Sequence, residues 1–170
     1  MRLLPLRQKT LNALQKDDGR MLADVVDRAE VKIVLKDGNA AITGDGGKEW
    51  IAEQVLKALD FGFLSRQAFK LLDDRFFLEV IDLEAAFRGD ERKVKRYKAR
   101  VIGQGGAAKK KLQELSGAFL SVGPREVAVL GEFEELRAAK EAVLRLLEGA
   151  EHTGVYAYLE REKHKQKRLM

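Results

Sequence analysis

The sequence predicts an α+β chain of two tandem copies of one module, each a three-stranded sheet packed on helices. Three observations predict it. The chain repeats its own apolar pattern at an offset of 87 residues. Short strands and amphipathic helices follow one another in the second copy in the order strand–helix–helix–strand–strand–helix. Between the first two helices lies Gly103-Gln104-Gly105-Gly106, a glycine turn running straight into a lysine-rich helix.

The repeat sets the frame. At the 87-residue offset Gly19 falls on Gly106, Val25 on Leu112, Ile33 on Leu120, Ala41 on Ala128, Ile42 on Val129 and Gly44 on Gly131. One further residue of shift puts Val55 on Val143, Leu56 on Leu144 and Leu59 on Leu147. Few identities survive, but the apolar positions do.

In the second copy, Arg75–Asp82 is rich in aromatic and branched residues and reads as a strand. Asp90–Ile102 reads as a helix leading into the glycine turn. Ala107–Ser116 is the next helix, stopped by Gly117. Ala118–Val122 and Glu126–Leu130 are short strands joined through Gly123-Pro124-Arg125. Phe133, Leu136, Val143, Leu144 and Leu147 mark the apolar face of a last helix, ended by Gly149. This is the type I KH order, so the fold expected is two tandem type I KH domains.

The first copy reads as strand Arg2–Leu6, helix Gln8–Gln15, a loop, helix Arg20–Ala29, strands Val31–Leu35 and Ala40–Thr43 around Asp37-Gly38-Asn39, and helix Lys48–Leu59. An Asp-Gly turn between alternating residues is a hairpin signal. Residues 65–72 form a short linking helix that a serine, Ser65, would cap. The expected domains are 1–62, the linking helix within 63–74, 75–150, and a basic C-terminal helix over 151–170. In that last helix Tyr156 and Leu159 would give a small apolar anchor.

The glycine turn carries the functional expectation. Glycines let a backbone approach a sugar-phosphate chain without a Cβ in the way. A helix N-terminus favours an anion, and KH modules use such a turn to clamp single-stranded RNA by its backbone. The charge agrees. Residues 1–62 hold 10 basic and 10 acidic residues, whereas residues 88–112 hold 10 basic and 2 acidic. A concentrated basic patch is the footprint of a nucleic-acid surface. In the first copy the equivalent of the glycine turn is Lys16-Asp17-Asp18-Gly19, where two carboxylates would repel a phosphate. That copy is expected to be structural or to bind protein.

Composition narrows the classes further. The chain has 170 residues and no cysteine, which excludes disulfides and thiolate metal sites. No apolar run approaches the roughly 20 residues of a membrane span, and a cytoplasmic protein is expected. His152 and His164 are the only histidines, too few for a metal site built on imidazole. No nucleophile–base pair can be assembled. No enzyme, cofactor or metal is expected. Gly44-Asp45-Gly46-Gly47-Lys48 lacks phosphate-loop spacing and reads as a turn into a helix. Trp50 is expected to pack in a core or between domains, and Tyr97 to be half-buried on its helix. Asp73-Asp74 reads as a helix end or turn.

Three longer stretches carry a family resemblance: Leu71–Leu83, Arg100–Gly106 and Gly149–Tyr156. In them the chain resembles the archaeal two-KH-domain ribosome-assembly family, counterparts of the eukaryotic factor called partner of Nob-one or Dim-two. The resemblance covers most of the chain. It implies binding to small-subunit ribosomal RNA near its 3′ end, in aid of the endonuclease that trims the precursor. It also implies an association with the alpha subunit of initiation factor two. On the matching positions Gly103, Gln104, Gly105 and Gly106 would hold the RNA backbone. Ile102 and Leu112 would line the apolar groove under the bases. Arg100, Lys109, Lys110 and Lys111 would neutralise phosphates. The family often has lysine where this chain has Gln104. The competing expectation is an adaptor that works mainly by protein contact through its first domain.

Overall fold

A computed structural model describes residues 1–169 and divides into two compact units, Met1–Asp74 and the chain from Arg75 onward. Each is a three-stranded antiparallel sheet covered by helices on one face. Met170, the last residue of the expected C-terminal helix, lies outside the described residues.

In the first unit β1 (Arg2–Pro5), β2 (Lys32–Lys36) and β3 (Asn39–Thr43) pair in the order β1-β3-β2. Helix α1 (Gln8–Ala29) is broken at Lys16–Gly19, where the backbone leaves helical geometry, so it is two helices around a turn. Helix α2 (Gly46–Asp60) begins inside the glycine-rich stretch. Leu14, Val25, Ile42, Val55 and Leu56 form the centre of this unit, none more than 1% exposed. The linking segment is α3 (Ser65–Ala68) and a 3₁₀ turn over Phe69–Leu72, both packed on α2. Ser65 is not its cap. Leu64 holds that position, and its N–H donates to Gln67 Oε1 at 3.0 Å, so the amide side chain closes the end instead. Trp50 is not core either: it stands 49% exposed on α2.

In the second unit β4 (Phe76–Asp82), β5 (Phe119–Val122) and β6 (Glu126–Glu132) pair as β4-β6-β5, the same order. The register repeats too. Val34 faces Ala41 in the first sheet and Ser121 faces Ala128 in the second, each pair displaced by 87. The first strands break the period, since Leu3 and Val80 hold equivalent places opposite those alanines. The extra residues lie between strand and turn. They form α4 (Leu83–Ala86), a short helix not expected from the sequence, and one more turn on α5 (Glu91–Ile102). Asp82 caps α4 by accepting from Ala85 N at 3.0 Å, and Asp90 caps α5 by accepting from Arg92 and Lys93 N. Helices α6 (Ala107–Ser116) and α7 (Phe133–Leu147) complete the module.

Helix α8 (His152–Leu169) packs on α6 and α7 and belongs to the second core. Val155, Tyr158 and Leu159 are its buried positions, while Tyr156 is only half-buried. Glu162 is buried beside them, 3.0 Å from Arg137. Burial pushes its carboxyl up, but Lys165 and Arg137 outweigh this and hold it below the usual glutamate value.

Candidate nucleic-acid interface

The glycine turn sits between α5 and α6, and its glycines do different jobs. Gly103 ends α5 with φ 75° and ψ 173°, its N–H donating to Ala99 O at 2.8 Å. A Cβ there would lie 2.6 Å from both the N and the Cβ of Ala108, so Gly103 lets the turn close onto the first turn of α6. Gly105 and Gly106 are left-handed, with φ 62° and 79°. A Cβ at either would meet nothing within 4 Å. These two present bare backbone to open space. No side chain caps the start of α6, so its positive end faces the same space.

The lysines after the turn fan out. Neighbours on a helix point about 100° apart. Lys109 shares a side with Gln113, whose Oε1 accepts from Leu120 N on β5 at 2.9 Å. Lys110 is exposed. Lys111 reaches α8, its Nζ 5.0 Å from the centre of the Tyr156 ring. One lysine therefore lies toward β5, one outward and one toward α8.

Two expected residues stand elsewhere. Leu112 has no exposed surface and belongs to the core with Val101, Leu120 and Val143, so it underlies α6 and cannot line an open groove. Arg100 is half-buried and donates to Leu146 O and Ala150 O, at 2.5 and 2.6 Å. Leu146 lies in the last turn of α7 and Ala150 in the link between α7 and α8. The Arg100 guanidinium is taken up in bracing α5 rather than in facing a phosphate. Ile102 is half-buried at the edge of the turn.

The structure adds a cleft that the sequence reading passed over. It measures about 280 Å³ and lies between the α4–α5 connection and the β5–β6 turn. Val94, Lys95, Lys98, Pro124 and Arg125 line it, and Arg125 pairs with Glu84 at 3.2 Å and Glu91 at 3.8 Å. Lys95, Lys98 and Ile102 share one face of α5 by helical spacing. That spacing was the available signal, and it runs from the cleft to the glycine turn. Tyr97 stacks on Phe87, ring centres 4.9 Å apart, and is half-buried.

The turn of the first unit matches the other only in its second half, where Asp18 and Gly19 repeat the left-handed Gly105 and Gly106; Lys16 has φ −67° where Gly103 has 75°, and Asp17 is left-handed where Gln104 is not. Asp17, Asp18 and Gly19 are all left-handed, with φ 53°, 57° and 74°. Aspartate is one of the few side chains that visits this region. Both carboxylates are exposed, so the surface carries two negative charges where the second unit carries none.

Among the described residues, no group of three or more His, Asp and Glu is placed to hold a metal ion, and no helix is long and apolar enough to cross a membrane.

Comparison with known proteins points the same way. Residues 77–164 match the family model of the second KH domain of PNO1, described as a eukaryotic-type KH domain, KH-domain type I. A KH domain-containing protein of Methanocaldococcus jannaschii is 41% identical over 137 residues, 78% of this chain and 60% of that protein. The pre-rRNA-processing protein pno1 of Emericella nidulans is 29% identical over 121 residues, 69% of this chain and 46% of that protein. The matched stretch thus spans about half to three fifths of these relatives' length. A crystal structure of a complex of a/eIF2alpha, aDim2p and rRNA from Pyrococcus horikoshii OT3 matches with a TM-score of 0.86 and 29% identity, over 96% of this chain and 94% of that one.

Proposed function

The chain belongs to the family of the second KH domain of PNO1, and from that membership we propose that it is a non-catalytic, single-stranded RNA-binding protein of small-subunit ribosome assembly. Its target is ribosomal RNA near the 3′ end. The observation that carries the reading is the division of labour in the glycine turn. Gly103 closes it against Ala108, and Gly105 and Gly106 leave backbone open beside the N-terminus of α6. A phosphate fits there because no Cβ stands in its way and the helix end favours an anion. Gln104, Gly105 and Gly106 hold the RNA backbone, and Lys109 and Lys110 neutralise phosphates. Ile102 contacts bases. Lys95 and Lys98 extend the surface along α5. Leu112 supports it from below, and Arg100 braces it from behind.

The test is crosslinking in cells, asking which nucleotides lie on residues 100–112. Crosslinks near the 3′ end of the small-subunit RNA are expected. Crosslinks spread over unrelated RNAs would overturn the target.

A second role is carried by the first unit. Its turn shares only its last two positions' conformation with the other and is acidic, which suits a protein rather than RNA. The P. horikoshii protein aDim2p occurs in a complex with a/eIF2alpha as well as rRNA, and the alpha subunit of initiation factor two and the trimming endonuclease are the partners proposed here. In NMR spectra of the whole chain, added RNA should shift Gly103–Gly106 and leave Lys16–Gly19 in place. Saturable shifts at Lys16–Gly19 would remove this division.

A further inference from the structure

The helices of the first unit cover one face of its sheet. Among the described residues nothing in that unit covers the other. Strand residues alternate between faces, so pairing defines what the open face carries. Leu3 lies opposite Ala41, and Val34 lies opposite Ala41 on the other side. The three form one row straight across the sheet. Leu3 is 65% exposed and Val34 60%. Lys32 and Lys36 stand on the same face of β2, one on each side of Val34, and both are exposed. A solvated antiparallel face ordinarily alternates to polar residues. This one puts aliphatic side chains across its middle instead. The paired rows on either side supply no carboxylate and no aromatic ring.

We propose that this face is a docking surface for an amphipathic protein helix, with aliphatic side chains on the Leu3–Ala41–Val34 row and carboxylates against Lys32 and Lys36. The proposal rests on the protein-partner role of the first unit given above.

The chemistry selects the occupant. Single-stranded RNA binds open sheets by stacking bases on aromatic rings, and this face has none. A second copy docking by the same face would bring lysines to lysines with no carboxylate to meet them. An added strand would pair at a sheet edge, whereas a helix lays an apolar stripe on a sheet face. The spacing is specific. Lys32 and Lys36 are about 13 Å apart along the strand at about 3.3 Å per residue. On a helix rising about 1.5 Å per residue, carboxylates about seven to nine residues apart match them.

The experiment pans a random-peptide library against the whole chain and against two double variants. Enriched peptides should combine aliphatic residues at helical spacing with paired Asp or Glu, and should shift the amides of Leu3, Val34 and Ala41 in NMR spectra. Leu3→Glu with Val34→Glu should weaken them at least about ten-fold, an effect of about 1.4 kcal/mol. Lys32→Glu with Lys36→Glu leaves the apolar row intact and should reverse the selection toward basic peptides. That second variant tests the idea even if the first folds poorly. RNA binding at Gly103–Gly106, measured alongside, should not change in either. Peptides that bind both variants as tightly as the parent overturn the surface. Peptides that settle on Lys16–Gly19 overturn the surface but leave the protein-partner role standing. Failure to enrich any peptide overturns both.

Discussion

Arg100 and His152 hold each other's chain. His152 Nε2 lies 2.8 Å from the carbonyl of Arg100, and the Arg100 guanidinium donates to Ala150 O at 2.6 Å and to Leu146 O. A carbonyl only accepts, so Nε2 carries the proton. The pair ties the last turn of α5 to the junction of α7 and α8. The glycine turn therefore hangs from a braced helix end, and α8 is part of its support.

Arg100→Ala should consequently act on stability and not on electrostatics. Hydrogen bonds from a charged donor contribute about 1.5–3 kcal/mol, so a loss of roughly 2–3 kcal/mol is expected in chemical denaturation. Combined with His152→Ala, the two losses should fall short of additive by about 1 kcal/mol, as contacting residues do. The salt dependence of RNA binding should keep the parent's slope. A shallower slope in Arg100→Ala would return this residue to the phosphate-binding set.

The glycines separate structure from binding. Gly105→Asp with Gly106→Asp places side chains in open space but puts two carboxylates in the phosphate path. The left-handed backbone costs something, roughly 1–2 kcal/mol per residue and less for Asp. The fold should survive while most binding to single-stranded RNA is lost. Gly103→Ala should do the reverse, because its Cβ meets Ala108, at about 1–3 kcal/mol of overpacking. Thermal melts and RNA titrations on both variants check this. A glycine-to-aspartate pair that binds as tightly as the parent would remove the turn from the interface.

Topology was legible in the sequence because each copy vouched for the other. The offset that aligned Ala41 with Ala128 also relates the pairing of the second and third strands in the two sheets. Helix α4 was not, since Leu83-Glu84-Ala85-Ala86 is too short to show a period. The turn itself was legible where backbone conformation alone fixes residue type, at the glycines. The site around it was misread where a distant partner decides. Arg100 looks like any other cation beside the turn, and its partners lie 46 and 50 positions away. Leu112 follows three lysines, yet it lies on the buried face of α6 with Ala108 and Ser116. Only the placement of α7 and α8 decides that face.

Acid should loosen the first unit through Glu49. The Gly44 N–H donates to its carboxylate at 2.9 Å and holds its pKa below the usual 4.5. A carboxyl whose folded pKa is lowered contributes stability that is present above its unfolded value and lost as pH falls through the folded one. Denaturation midpoints of the first unit should therefore drop below about pH 4.5, and Glu49→Gln should flatten that part of the profile. A parent and variant with parallel profiles would show that Glu49 is not the group responsible.

The end of α8 should strengthen RNA binding without choosing the sequence. Lys163, Lys167 and Arg168 are exposed, whereas Glu162 points inward to Arg137. Removing the whole end from Arg161 would therefore also remove a buried contact, so changing charge alone is the cleaner probe. These cations stand exposed on a helix, which suits backbone contact rather than base reading. For the parent, three or four phosphates at the turn give a log–log salt slope of roughly −2 to −3, at about 0.7 per phosphate of a single strand. Any contribution of the helix steepens it. Changing all three residues to Gln should lower the slope by at most about 2 and weaken preferred and scrambled RNAs by the same factor. Titrations of both RNAs at two salt concentrations decide it. A loss confined to the preferred RNA would mean that α8 reads bases, and a slope that does not move would mean that it does not touch the strand.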